Sequence, residues 1–211
     1  MLVVLTATAQ QTEKIKGQLI EIKTSMGDIE LLLYDDTPLH TENMIRLIED
    51  GFYDGQLFHR VISNFMIQGG DPHSINAPKG QRLGTGGPGY RVPAEILDHH
   101  YHKKGALAAA RQGDSTNPER ESSGSQFYIV QGQVLNNEQL LNMQSSGHHQ
   151  PFTPEQIKAY TTIGGTPHLD GAYTVFGEVV KGLEVVDNIA GVSTDNYDRP
   201  TTDIVYTFKL K

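Results

Sequence analysis

The chain has 211 residues, 37% of them apolar and 20% charged, with a formal net charge of −8 and no cysteine. This is the composition of a globular chain, and it excludes a disulfide framework, a thiolate zinc site and a cysteine nucleophile. The acidic balance argues against non-specific nucleic-acid binding, and no run approaches the roughly 18 apolar residues of a membrane-spanning helix.

The first ten residues, MLVVLTATAQ, are apolar and then small. Ala7-Thr8-Ala9 before Gln10 has the A-x-A form of a signal-peptidase site, although the basic region that opens such peptides is missing. Residues 1–17 are therefore expected to be the remnant of a signal peptide and an N-terminal extension, which would make the protein periplasmic or exported. A cytoplasmic chain with a frayed start is the alternative.

Residues 18–24 and 28–34 alternate in polarity and are joined by Ser25-Met26-Gly27, which predicts a hairpin. Thr37 as N-cap and Pro38 at the first position open a helix with Met44, Leu47 and Ile48 as its apolar stripe, ended by Gly51. FHRVISNFMIQGGDP, residues 58–72, reads as two short strands joined through Ser63-Asn64, with Arg60 pointing the same way as Phe58 and Ile62. Residues 71–91 form a Gly- and Pro-rich loop. Short apolar segments return at 106–110, 126–130 and 174–180, a helical pattern covers 183–190, and 202–210 alternates as a closing strand. Many short strands framed by two helices suggest a mostly antiparallel barrel or sandwich with helices capping its openings. Residues 131–166 are polar and rich in Asn, Gln and His, with one helix from Thr153-Pro154 to Tyr160. They read as an insertion in a single domain covering 18–211.

The strand period puts Met66 and Gln68 on one face, and Gln126 and Tyr128 on another shared face, with Ile67, Phe127 and Ile129 behind them. If these strands are neighbours, Arg60, Met66, Gln68, Gln126 and Tyr128 converge on one surface. Such a mixture of apolar and amide side chains favours a shallow peptide-binding groove over an ordinary solvated sheet face.

Other chemistries fit less well. Gly84-Thr85-Gly86-Gly87-Pro88-Gly89 is followed by Tyr90-Arg91-Val92-Pro93 and not by a helix, so it does not read as a phosphate cradle. Asp98, His99, His100 and His102, and later His148 and His149, lack the spacing of a ligand set and read as adventitious surface histidines. No metal and no cofactor is expected. Ser122-Ser123-Gly124-Ser125 is not a nucleophile elbow, and Glu119-Arg120-Glu121 reads as a solvated loop.

FHRVISNFMIQGGDP resembles the core signature of the cyclophilins, the peptidyl-prolyl cis/trans isomerases. So do Gly84-Thr85-Gly86-Gly87, the run Gly105-Ala106-Leu107-Ala108-Ala109-Ala110, the motif Gly124-Ser125-Gln126-Phe127-Tyr128-Ile129, and HLDGAYTVFG at residues 168–177. The motifs stand in the family's order and span about residues 18–211, apart from the 131–166 insertion and an enlarged loop at 115–121.

The resemblance implies a mainly β fold, a closed eight-stranded antiparallel β-barrel capped by two α-helices, with the active site in a groove on its outer face. It implies catalysis of X–Pro bond rotation in proline-containing peptides and in unfolded or exported proteins, by a monomer with no cofactor. By match to the family's motifs, Arg60 is the catalytic arginine. Phe65, Met66, Tyr128 and Leu169 take the proline ring, Gln68 and Gln126 hold the substrate backbone, and Ala110 and Arg111 lie beside the residue before proline. His168 stands where the best-studied members have Trp, Tyr173 where they have His, and Arg111 where Asn is common. Bacterial relatives often carry such changes, but sensitivity to cyclosporin, which uses the indole, is put in question. A peptide-binding or chaperone module with weak turnover is the competing expectation.

Overall fold

The computed structural model describes residues 16–147 and 149–211. The expected signal-peptidase site and His148 lie outside them.

Strands β1 (Gly17–Thr24) and β2 (Gly27–Tyr34) form the expected hairpin, with Thr24 facing Gly27 across the turn. Gly27 sits at φ 125°, where a Cβ would be strained. Ile20, Ile22, Ile29, Leu31 and Leu33 are wholly buried, the alternation that a half-buried sheet imposes. Helix α1 (Pro38–Glu49) follows, with Pro38 at its first turn as the sequence predicts. Thr37 occupies the N-cap but makes no capping bond. The Glu95 carboxylate does that work, accepting from Leu39 N and His40 N, each at 3.0 Å, where the helix end favours negative charge.

The rest of the chain supplies β3 (Gln56–Leu57), β4 (Arg60–Ile62), β5 (Met66–Gly69), β6 (Arg91–Val92), β7 (Ala106–Ala109), β8 (Ser122–Ser123) and β9 (Phe127–Val130). Helices α2 (Asn137–Ser145) and α3 (Pro154–Thr162) come next, then β10 (Val175–Lys181), α4 (Leu183–Ala190) and β11 (Val205–Leu210). One antiparallel sheet runs β3-β11-β1-β2-β10-β7-β9-β5-β4, and β6 pairs with β8 in a separate ribbon. The strands at the two ends of that order, β3 and β4, are consecutive in the chain and separated only by Phe58 and His59. One stretch of chain therefore serves both edges, and the sheet curls round on itself. Counted as one strand, that stretch gives the expected eight; as hydrogen-bonded segments there are nine, and no ladder joins β3 to β4 directly.

Inside the curl lies the main core, including Ile22, Leu31, Phe58, Ile67, Phe127 and Ile129, closed by α1 and α4. Phe58 corrects the sequence expectation. It is fully buried inside, while Arg60 and Ile62 face outward, because the chain leaves β3 and enters β4 through Phe58-His59 and the alternation is broken there. The closing strand also starts later than expected, at Val205.

Residues 131–166 hold two helices where the sequence predicts one. Each begins with a capping box, Asn136 with Gln139 and Thr153 with Gln156. They share a small core of Leu135, Leu140, Phe152 and Tyr160. The excursion is pinched at its neck, where Gly132 and Gly165 pass so closely that a Cβ on Gly132 would meet the Gly165 backbone.

Candidate active site

Residues paired directly across an antiparallel ladder share a face. Arg60 pairs with Gln68, Gln68 with Tyr128, and Tyr128 with Ala108, so these four form one row across the outer surface. The next row is Ile62, Met66 and Val130. Over these rows sits a second apolar cluster, in which Phe65, Ala110, Leu169 and Tyr173 pack against Met66, Tyr128 and Val175.

The cluster encloses a cavity of about 260 Å³ lined by Arg60, Phe65, Met66, Gln68, Ala110, Arg111, Tyr128, Leu169 and Tyr173, with His59, Leu83 and Gly84. A second, adjoining cavity of about 600 Å³ shares Gln68, Gly84, Ala110 and Arg111, and extends to Gln126, Arg91 and Glu121. The structure thus brings together the residues that the sequence singled out. Gln126 lies in the adjoining cavity, and His168 stacks on Phe65, with centroids 5.7 Å apart, without lining either one.

Polar groups along the groove are ordered by their own chemistry. Arg60 Nη1 donates to Gln68 Oε1 at 3.3 Å, Gln68 Nε2 to Gln126 Oε1 at 3.0 Å, and Gln126 Nε2 to the Gly86 carbonyl at 2.8 Å. Arginine has no acceptor, so Gln68 must present its oxygen to Arg60, and that choice sets both amides. At the far end the Gly-rich loop is held by Asp71, which is fully buried and accepts from His73 N at 2.8 Å and from Gly84 N. A Cβ on Gly86 would strike the Asp71 carboxylate, which explains glycine there. The loop is a positioning device for Gln126. Below it, Gly70, at φ 90°, lies against the Ser125 backbone with no room for a side chain.

Comparison with known proteins agrees with this geometry. The family profile of the cyclophilin type peptidyl-prolyl cis-trans isomerase/CLD matches residues 19–208. A peptidyl-prolyl cis-trans isomerase of Staphylococcus saprophyticus is 34% identical over 95% of this chain and 95% of its own. The chain belongs to the cyclophilin-type peptidyl-prolyl cis-trans isomerases. A bifunctional phosphatase/peptidyl-prolyl cis-trans isomerase of Streptococcus pyogenes is 38% identical over 92% of this chain, which spans 38% of that protein's length. A crystal structure of a Cryptosporidium parvum cyclophilin has the same fold, with a TM-score of 0.66 and 24% identity over 93% of this chain and 98% of its own.

Within this cyclophilin the departures from the commoner pattern have visible contacts. Arg111 stands 4.5 Å over the Tyr173 ring, donates through Nε to Ala172 O at 2.7 Å, and pairs with Asp114 at 2.6 Å. Its side chain therefore clamps the wall that carries Tyr173. Arg120, expected to be merely solvated, donates to Gly171 O at 3.0 Å and supports the same wall. Burial lowers the His168 pKa below its ordinary value.

Several partners were not visible in the sequence. Asp198, on the loop before β11, holds Arg60 Nε at 3.5 Å. His59, 3% exposed beside Arg60, has both ring nitrogens unpartnered, and burial pushes its pKa down to about 4. His102, expected at the surface, is fully buried. Its Nδ1 lies 2.9 Å from Asp170 Oδ1 and its Nε2 2.9 Å from Tyr128 Oη. His149 Nε2 also reaches Asp170, at 3.2 Å, while His100 is 9% exposed and stacked on Tyr34. What buries these rings is packing between segments far apart in sequence.

Among the described residues one group, Asp36, His99 and His100, brings three ligand atoms within 4.8 Å of one another. It lies outside both groove cavities, and each ring already bonds one Asp36 oxygen at 2.8 Å. Rotation about a peptide bond has no use for it.

Proposed function

We propose that the groove accelerates rotation about X–Pro bonds by seating the proline ring in the 260 Å³ cavity against Phe65, Met66, Tyr128 and Leu169, with Arg60 over the twisting bond. The observation that carries this reading is the one-way donor chain from Arg60 through Gln68 and Gln126 to Gly86, laid beside that apolar cavity. Partial double-bond character makes rotation cost about 18–20 kcal/mol, and unaided X–Pro exchange takes roughly 10–100 s. No covalent bond breaks, so neither nucleophile nor cofactor is required. As the bond twists, conjugation is lost and the prolyl nitrogen's lone pair, delocalised into the carbonyl in the planar states, becomes localised on the nitrogen and able to accept a hydrogen bond. A guanidinium held in place favours that state over the planar ones, which is differential binding of the transition state. The Gln68 and Gln126 amides hold the substrate backbone, so that the turn happens on one side of the bond.

The substrates in this reading are proline-containing peptides and folding chains. A second Cryptosporidium parvum structure, obtained in the presence of the dipeptide Ala-Pro, supports peptide binding by this fold. A protease-coupled or exchange-NMR assay of an Ala-Pro-containing peptide tests the proposal. Acceleration abolished by Arg60→Ala supports it, and binding without acceleration would favour the competing peptide-binding module. We further propose that the protein is exported, from the A-x-A pattern at Ala7-Thr8-Ala9. N-terminal sequencing of the native protein checks this: a start at Gln10 supports export, and retention of Met1 would end it.

A further inference from the structure

The Asp170 carboxylate gathers bonds from three directions. It accepts from His102 N at 2.8 Å and meets His102 Nδ1 at 2.9 Å through Oδ1. Through Oδ2 it accepts from Tyr160 Oη at 2.6 Å and meets His149 Nε2 at 3.2 Å. Burial alone would raise its pKa, but the bonds from His102, His149 and Tyr160 outweigh that and hold it at about 2. An ionised carboxylate only accepts, so His102 Nδ1 carries the proton, and in the neutral ring Nε2 accepts from the Tyr128 hydroxyl. The path is continuous: Tyr128 at the floor of the proline cavity, His102, Asp170, and then Tyr160 and His149 of the 131–166 excursion.

A second set of contacts ties the excursion to the same histidine. Its neck crosses the His102 segment, with Lys103 bridged to Gly165 and Thr166 N donating to His102 O at 2.8 Å. A Cβ on Gly165 would run into the His102 carbonyl and the Tyr160 ring, so the three sit in closest packing. Asp170 itself follows directly on Leu169, which lines the proline cavity, and it lines a separate cavity of about 470 Å³ on the excursion side. Tyr160 is wholly buried at the centre of the excursion's own core.

We propose that Asp170 is a positioning residue for the proline cavity and that the 131–166 excursion is part of the active site, coupled to Tyr128 through Asp170 and His102. The excursion folds around Tyr160, Tyr160 and His149 orient the Asp170 carboxylate, Asp170 sets the His102 ring, and His102 sets the Tyr128 hydroxyl. This rests on the isomerase reading of the groove. It assigns the excursion to ground-state recognition of the ring more than to the twisting step, since it acts on the cavity floor and does not reach Arg60.

The test uses the full chain and variants that remove one hydroxyl each. Tyr160→Phe is expected to raise KM for an X-Pro peptide by about 3- to 10-fold, with kcat within about twofold, the scale of losing one hydrogen bond in a chain. In a Tyr128→Phe background, where the path is already cut, Tyr160→Phe should have little further effect. Independently of activity, Tyr160→Phe should shift the Tyr128 ring resonances of the ligand-free, tyrosine-labelled protein. A lower melting temperature with unmoved Tyr128 resonances, or effects of the two substitutions that simply multiply, would overturn the proposal. Failure of the unsubstituted protein to accelerate isomerisation removes the isomerase reading instead, and the resonance shift still decides the coupling.

Discussion

Arg60 Nη1 donates to Gln68 Oε1 at 3.3 Å, and this one bond sets the direction of every amide behind it. Beyond this bond and the Asp198 contact, the guanidinium has no protein acceptor among the described residues, which leaves its other N–H groups for a ligand. Arg60→Ala should lower kcat/KM by roughly 10²–10³, the effect of removing a transition-state donor. Arg60→Lys should recover only part, because an ammonium lacks the planar fork. Turnover of a Pro-containing peptide measures both, and near-unchanged kcat/KM in the alanine variant would remove Arg60 from catalysis.

Asp198 approaches the other side of Arg60, at 3.5 Å, with the two side chains 41% and 45% exposed. An ion pair so open to water contributes little to stability. Its expected value lies in orientation: Asp198→Asn should cost about two- to fivefold in kcat/KM with an unchanged melting temperature. The gap between variant and parent should narrow as salt is raised, since exposed pairs are screened. A salt-independent gap would mean that Asp198 acts otherwise.

Gln126 is 7% exposed, and its Nε2 donates to Gly86 O. Gln126→Glu keeps the shape and the acceptor for Gln68 Nε2 but sets a carboxylate oxygen against the Gly86 carbonyl. The variant should lose about 1–3 kcal/mol of stability, the penalty of a buried group left unsatisfied. It should also raise KM as the Gly-rich loop moves. Urea unfolding and peptide kinetics read the two effects, and unchanged stability would show that the donor chain does not order the loop.

His59 gives the protein a signature in acid. Its folded pKa of about 4 lies below the ordinary 6.5, so protonation favours the unfolded chain. Its contribution is whole above pH 6.5 and declines as pH falls toward 4, by up to about 3 kcal/mol at the low end. His59→Gln removes that titration. Stability of the parent should drop more steeply than that of the variant between pH 6.5 and 4, as followed by chemical unfolding. Parallel curves would show that the ring is not buried neutral.

Local pattern reached the groove but not its supports. Met66, Gln68, Gln126 and Tyr128 could be placed on one surface because a strand period of two is a local property, and the β5–β9 pairing brings those faces together. Phe58 was misplaced because the period fails where the chain steps from one sheet edge to the other. Glu95 as the cap of α1 lies 55 and 56 residues from the amides it serves, and Asp170 lies 68 from His102. Separations of that size leave no trace in local spacing. Helix α2 did carry a signal, Asn136 followed three residues later by Gln139, but only Leu140 of its length is buried and the apolar pattern is correspondingly faint.

The segment that supplies both ends of the sheet also decides what the sheet exposes. Its terminal strands are two and three residues long, each already paired on its inner side to β11 or β5. Unpaired strand edges are templates on which other extended chains add and aggregate. In the role proposed above, with folding chains among its substrates, the enzyme would meet that hazard at every encounter. By letting one short stretch finish both sides, this fold offers such chains a groove to pass through and almost no ladder to join.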